Sequence, residues 1–234
     1  MKSERPDLSL TIAKLVRSAA PVVTLERPSV RFGRWMIVAM ALALASVVIL
    51  GVRGDAGSQM TDGWFLARAT ATLIIVFAAA IVAFSISVPG AEIPNLLRAL
   101  PLAASLTWAV MLVGTIAATC SSGELLAHLA PHPSCVLIIA ATALSPEVLL
   151  LRMLQRAAPL QATRTVGYAG LASLALGALA AQFVCANDAA THHLLWHYLP
   201  VVLLTVVSII IGSTLLTRGA GGGDCFPGLG RRER

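Results

Sequence analysis

Six long apolar blocks constrain this chain more than any other feature: Trp35 to Val52, Ala69 to Val88, Ala99 to Thr119, Ser134 to Leu151, Val166 to Cys185, and Leu194 to Leu216. Each approaches or exceeds the ~20 helical residues that cross the hydrocarbon core of a bilayer. Backbone amides in lipid must be satisfied within their own segment, so the blocks are helices. The predicted fold is all-α, an integral membrane bundle of six transmembrane helices. Composition agrees: charged residues are 12% of the chain and hydrophobic ones 57%, about half the charge of a soluble domain. Residues 1–34 read as a polar segment before the bundle, 35–217 as the transmembrane domain and 218–234 as a flexible tail containing RGAGGGDCFPG and Cys225. No cleavable signal sequence is expected, because no small-residue cleavage site follows a short apolar region.

Lys and Arg set the orientation. With the N-terminus inside, the inner segments hold fifteen of the seventeen basic residues, and only Arg53 and Arg68 fall outside. Both termini are therefore predicted to be cytoplasmic. The net charge of +6 then reflects topology and contact with anionic lipid, and no direct nucleic-acid binding is expected. In this orientation Cys120, Cys135 and Cys185 lie at the outer ends of the third, fourth and fifth spans. His128, His132, His192, His193 and His197 lie in or beside the outer loops. In a Gram-negative host that side is the periplasm, where disulfides persist.

Three readings of these side chains compete. Thiols at neighbouring helix ends can bridge, provided their Cα atoms come within ~7 Å. Membrane-end cysteines can simply be small apolar residues. Cys with His can also hold zinc or copper, although the one close pair is His193 with His197, a helical turn apart, beside Trp196 and Tyr198. Glu147, in SPEVLLLR, lies near the inner end of the fourth span, close enough to Arg152 to snorkel, and reads as structural. Ala169, Ser173, Gly177 and Ala181 form a stripe of small residues on the fifth span, a face for close helix packing.

Residues 7 to 20, DLSLTIAKLVRSAA, have Leu8, Ile12, Leu15, Val16 and Ala19 on one helical face. Asp7 can cap this helix and Pro21 ends it. An isolated helix this short is marginal in water. It needs the membrane surface or a groove on a partner protein.

Four segments together resemble the NrsF-like family, six-span bacterial inner-membrane proteins that act as negative regulators of extracytoplasmic-function sigma factors. They are PVVTLERPSVRFGRW before the first span, AFSISVPG at the end of the second, CVLIIAATALSPEVLLLRMLQRAAPL, and CANDAATHHLLWH, in which Asp188 and Trp196 follow Cys185. The similarity runs over roughly residues 8 to 218. It maps the family's two cysteines onto Cys135 and Cys185 and implies that they sense stress from the outer side. It also implies that the N-terminal segment, with Leu8, Ile12, Leu15, Pro21, Leu25 and Arg31, holds the sigma factor. This chain departs from the family pattern at Val184, Ala186, Asn187 and His197; Cys120 and the many outer histidines are additions. His193, His197, Asp188, Trp196 and Cys120 are the accessory candidates beside the two sensing cysteines.

The expectation is a membrane anti-sigma factor, not an enzyme and without a cofactor, in the bacterial inner membrane. Its partners would be an extracytoplasmic-function sigma factor, the lipid bilayer and a transient metal ion at the outer Cys and His. Oxidation or capture of a soft metal at Cys135 and Cys185 would release the sigma factor, with the loop bearing Arg152, Arg156 and Arg164 as relay. The rivals are a membrane thiol oxidoreductase, against which the absence of a CxxC pair counts, and a small transporter or structural subunit.

Overall fold

A computed structural model describes residues 12–13, 16–17, 25–90, 93–119, 132–157 and 159–221. Six long helices form it: α1 (Pro28–Leu50), α2 (Gly63–Ile86), α3 (Asn95–Thr119), α4 (Pro133–Gln155), α5 (Ala162–Val184) and α6 (Leu199–Gly221). A single helical turn, Ala190–His193, and a π-helical turn, Leu194–Tyr198, lead into α6. All six spans are long and apolar enough to cross a membrane, so this is a multi-pass membrane protein. A helix of 23 residues rises about 35 Å at ~1.5 Å per residue, somewhat more than the ~30 Å hydrocarbon core.

The helix ends follow local chemistry. Asp62 accepts the Phe65 backbone N–H at 2.8 Å and caps α2, as short oxygen-bearing side chains do. Pro28 opens α1, where its missing N–H costs nothing and its fixed φ suits the first turn. That starts α1 seven residues before the apolar run predicts, and brings Arg31 and Arg34 into the helix. Gly90, in the SVPG turn after α2, has φ +79°, a conformation that favours glycine.

Small residues decide the packing. Of the six spans, α5 is the most enclosed at 78% buried, α2 follows at 56%, and the others lie at 33% or less. Helix α5 is thus the axis, with α1, α2, α4 and α6 against it. The stripe Ala169, Ser173, Gly177 and Ala181 is buried as its spacing predicts. At Gly177 the backbones nearly touch: a Cβ there would lie 2.4 Å from the Ile139 carbonyl oxygen of α4. Large apolar side chains such as Ile37, Ile49, Leu106 and Ile210 point outward, which in a membrane means toward lipid.

Helix α1 is fastened to α4 by polar groups. The Trp35 indole, fully buried, donates Nε1–H to the Pro146 carbonyl at 2.9 Å. The Arg31 guanidinium donates to the Met153 carbonyl and lies 5.1 Å from the centre of the Phe84 ring. Arg31 is only 4% exposed, so its side chain is turned into the bundle. Leu25 is exposed, as are Ile12 and Val16, which sit four residues apart. Leu8, Leu15, Pro21, Cys120, His128 and Cys225 lie outside the described residues.

Candidate functional site

Cys135 is in the first turn of α4 and Cys185 caps the end of α5. Antiparallel packing of these two helices places both thiols at one end of the bundle, their Sγ atoms 3.7 Å apart. The chain then turns through Asn187, whose Oδ1 accepts the Ala189 N–H at 3.0 Å, and re-enters as the turn carrying three histidines. His192 Nε2 lies 3.5 Å from Cys135 Sγ and 3.3 Å from Cys185 Sγ. His197 completes the group: one ligand atom from each of Cys135, Cys185, His192 and His197 lies within 4.8 Å of the others.

The π-helical turn makes this possible. In an α-helix, advancing ~100° per residue, positions five apart diverge by ~140° and positions four apart share a face. Sequence spacing therefore pairs His193 with His197. The wider turn, with Leu199 donating to the Leu194 carbonyl, brings His192 round to the side of His197 instead. Pro200 is the physical cause we identify. It has no N–H to give the Trp196 carbonyl, and its ring crowds that oxygen, which favours a widened turn of the kind found at functional sites.

His193 is displaced from the cluster. Its ring centroid is 4.5 Å from that of His197 and 6.0 Å from that of His192. All three rings are buried, each at most 1% exposed, so they are interior groups and not the interfacial loop residues that their neighbours Trp196 and Tyr198 suggest. The ring nitrogens of His193 and His197 have no hydrogen-bond partner of normal geometry among the described residues. His132 stacks edge-on to His192 at 4.8 Å and lies 6.0 Å from the Trp196 ring.

An ion network holds the loop behind Cys185. Asp188 receives Arg53 Nη2 at 2.5 Å and Arg68 Nη2 at 3.1 Å, and Arg53 also grips Asp55 at 2.6 Å. Arg68 reaches the Asp188 carbonyl as well, at 3.2 Å. Both arginine side chains are 1% exposed. These are the two cations that the charge rule leaves on the outer side, and a shared acid accounts for both. Sequence reasoning flagged Asp188 but missed Arg53, Arg68 and His192; basic residues on the side where they are rare were the available signal.

The hydrogen bonds from Arg53, and then Arg68, hold the Asp188 carboxyl below its ordinary range. Asp55 is drawn down to about 2, chiefly by Arg53, and Arg53 is raised in return. A depressed acid contributes stability above its unfolded pKa of ~3.9 and loses it as pH falls through the lower folded value. The clamp thus persists through neutral and mildly acidic pH. Removing the carboxylate leaves Arg68 without its acidic partner, beside Arg53, which keeps only Asp55. An Asp188→Asn variant is expected to lose about 2–3 kcal/mol, less than a fully buried pair because Asp188 is a third exposed. Thermal unfolding in detergent checks this; an unchanged melting temperature would refute it.

The Cys185 thiol is pushed down, first by the hydrogen bond from Cys135 and then by His192 and His197, against the opposing effect of burial. The thiolate is the form that binds metal and reacts. For tetrahedral coordination with ~2.3 Å metal–sulfur and ~2.05 Å metal–nitrogen bonds, simple geometry gives ~3.8 Å between sulfurs and ~3.6 Å between sulfur and nitrogen. The distances of 3.7, 3.5 and 3.3 Å are close to these. A cavity of about 600 Å³, lined by His132, Cys135, Cys185, Asn187 and Asp188, opens onto the cluster.

Fold and site together define a six-helix membrane protein with a buried thiol–imidazole cluster at one end of the bundle. The chain matches the family model described as NrsF, negative regulator of sigma F, over residues 15–217, and it belongs to that family. The role this carries is negative regulation of a sigma factor, consistent with anti-sigma action. Comparison with curated proteins and with solved structures gave no match.

Proposed function

We propose that the chain is a bacterial inner-membrane anti-sigma factor that holds an extracytoplasmic-function sigma factor through its N-terminal segment and releases it when the Cys/His cluster captures a thiolate-seeking metal ion. The observation that carries this reading is the convergence of Cys135, Cys185, His192 and His197 within 4.8 Å. Two thiolates and two imidazoles suit zinc or copper(I) better than calcium or magnesium. On capture, each thiol still protonated gives its proton to water, and the metal takes the freed lone pairs. Asp188 positions the cluster by fixing the loop between Cys185 and His192.

The signal must reach the other end of the bundle, and it does so only if the two states make different contacts there. Helix α4 is the direct route. It carries Cys135 in its first turn, and further along it Pro146 and Met153, whose carbonyls accept hydrogen bonds from Trp35 and Arg31 and so fasten α1 to it. Tightening four ligands around an ion shifts α4 against α5, and α1 carries that shift to residues 12–27.

The 3.7 Å separation of the thiols favours a second trigger at the same site. A peroxide or a small disulfide can take two electrons and two protons from the pair, leaving a Cys135–Cys185 bridge. The two triggers differ in the mass of the product, which gains a metal in one case and loses two hydrogens in the other.

The test is co-purification from membranes with a C-terminal tag. Full-length protein is expected to bring down a sigma factor, a variant lacking residues 2–30 is expected to lose it, and Zn²⁺ added to the full-length complex is expected to release it. If a correctly inserted full-length protein retains no sigma factor, the anti-sigma reading fails. Retention that Zn²⁺ does not alter removes metal as the trigger.

A further inference from the structure

We propose that the end of the bundle opposite the thiol cluster binds one anionic phospholipid, with its phosphate between Arg98 and Arg164 and an acyl chain in a groove formed by α3, α5 and α6. This site is separate from the cluster and does not depend on the sensing role.

Two adjoining cavities form it. The first, about 180 Å³, is polar and lined by Arg98, Gln161, Arg164, Tyr168 and the Gly90 turn. The second, about 320 Å³, is apolar and lined by Leu102, Gly167, Leu171, Thr205 and Ile209. Arg164 and Tyr168 line both, so a headgroup pocket and a hydrocarbon groove share one wall.

The groove exists because α3 and the sixth span diverge. They meet at the level of Tyr198, where Trp108 packs edge-on at 5.1 Å and the Ser105 hydroxyl is 3.3 Å away. Below that level α5 forms the floor between them. Gly167 lets α6 come close there: a Cβ would meet Ile209 Cδ1 at 3.2 Å. From Arg164 to Leu171 the groove runs about 10 Å along α5 at ~1.5 Å per residue, from the rim toward the bilayer centre. Leu102 on its wall is 60% exposed and Leu160 at its mouth 82%, apolar surface that an acyl chain would cover.

The headgroup pocket is built for an anion. Arg98 and Arg164 stand in the first turns of α3 and α5, where the helix dipole is already positive and a cation is the unfavourable sign. An anion between them satisfies the two side chains and the two helix ends together. Arg164 gives Nη1 to the neutral Gln161 amide at 3.2 Å, and the Tyr168 hydroxyl donates to the Arg98 carbonyl at 3.1 Å. No acidic side chain among the described residues lines this pocket; Glu92, nearby in sequence, lies outside them. Basic pockets between spans at the headgroup level are where anionic lipids bind.

The test uses the full chain in bilayers containing spin-labelled phosphatidylglycerol or spin-labelled phosphatidylcholine, with the immobilised fraction read by electron paramagnetic resonance. Phosphatidylglycerol is expected to be preferred about tenfold, and Arg98→Gln or Arg164→Gln is each expected to cut the preference about fivefold. Arg98→Lys, which keeps the charge, is expected to retain most of it and controls for folding. Gly167→Leu, which fills the groove and spares both arginines, is expected to release the label. Equal immobilisation of the two lipids overturns the proposal. So does an unchanged preference in the double Arg98→Gln, Arg164→Gln variant or in Gly167→Leu. Displacement of the label from the native protein by millimolar inorganic phosphate also overturns it, because the site would then take a free anion.

Discussion

Serine in place of Cys185 is expected to lower the affinity of the purified protein for Zn²⁺ by at least about a hundredfold. Loss of a residue that merely orients a ligand typically costs 10–100-fold, and here a ligand itself is removed. Cys135→Ser should fall equally far, since both sulfurs sit 3.3–3.5 Å from the same His192 nitrogen. His192→Ala and His197→Ala should weaken binding as well. His193→Ala should stay within about twofold of the native protein, because that ring lies outside the four-atom cluster. Competition with a chromogenic chelator in detergent measures all five. Retained affinity in Cys185→Ser, or a His193→Ala loss as large as that of His192→Ala, would show that the cluster is not the binding site. Affinity should also decline as pH falls, since protons compete for the ligand atoms. In cells, the double serine variant should no longer raise sigma-dependent transcription when metal is added.

Alanine at Gly177 is expected to be nearly as damaging, although it touches no ligand. Its methyl would sit 2.4 Å from the Ile139 carbonyl oxygen, and a backbone atom has no rotamer to escape into. Overpacking of this kind costs about 1–3 kcal/mol, and here the strain is relieved only by moving α4 away from α5. Ile139 is one turn below Cys135, so that movement opens the thiol pair. A lower melting temperature and weaker Zn²⁺ binding should therefore appear together in Gly177→Ala. Gly114→Ala, on α3, meets nothing within 4 Å and is the matched control. Were Gly177→Ala to bind Zn²⁺ as tightly as the native protein, the α4–α5 contact would not set the cluster's geometry.

Much of the fold is legible in the sequence. Lipid removes nearly all backbone options except the helix, so counting apolar blocks amounts to counting helices, and each of the six blocks became one. The small-residue stripe on the fifth span was legible for a related reason. Where both lipid and protein are apolar, close approach of backbones discriminates between neighbours, and Gly177 with its small neighbours marks such a face. The start of α1 was less legible, because Arg31 and Arg34 break the apolar run, yet Arg31 is buried by a carbonyl and an aromatic ring.

The candidate site divides in the same way. Cys135 and Cys185 were singled out by residue type and by resemblance to a family. Their 3.7 Å approach depends on how the consecutive helices α4 and α5 pack, which brings together two cysteines fifty residues apart in sequence. His192 was overlooked because a four-residue spacing points to His193, and only the π-helical turn before Pro200 reverses that choice. The partners of Asp188 were hidden for a similar reason, since Arg53 and Arg68 are more than a hundred residues away from it. Sequence by itself determined the number of helices and the small-residue face of α5, because lipid exclusion and residue size act locally along the chain, while only resemblance to a family set Cys135 and Cys185 apart from Cys120. Tertiary structure decided which histidine joins those thiols, which arginines hold the loop behind them and where α3 and α6 part to leave a groove, because each depends on distances between segments that the order of residues does not contain.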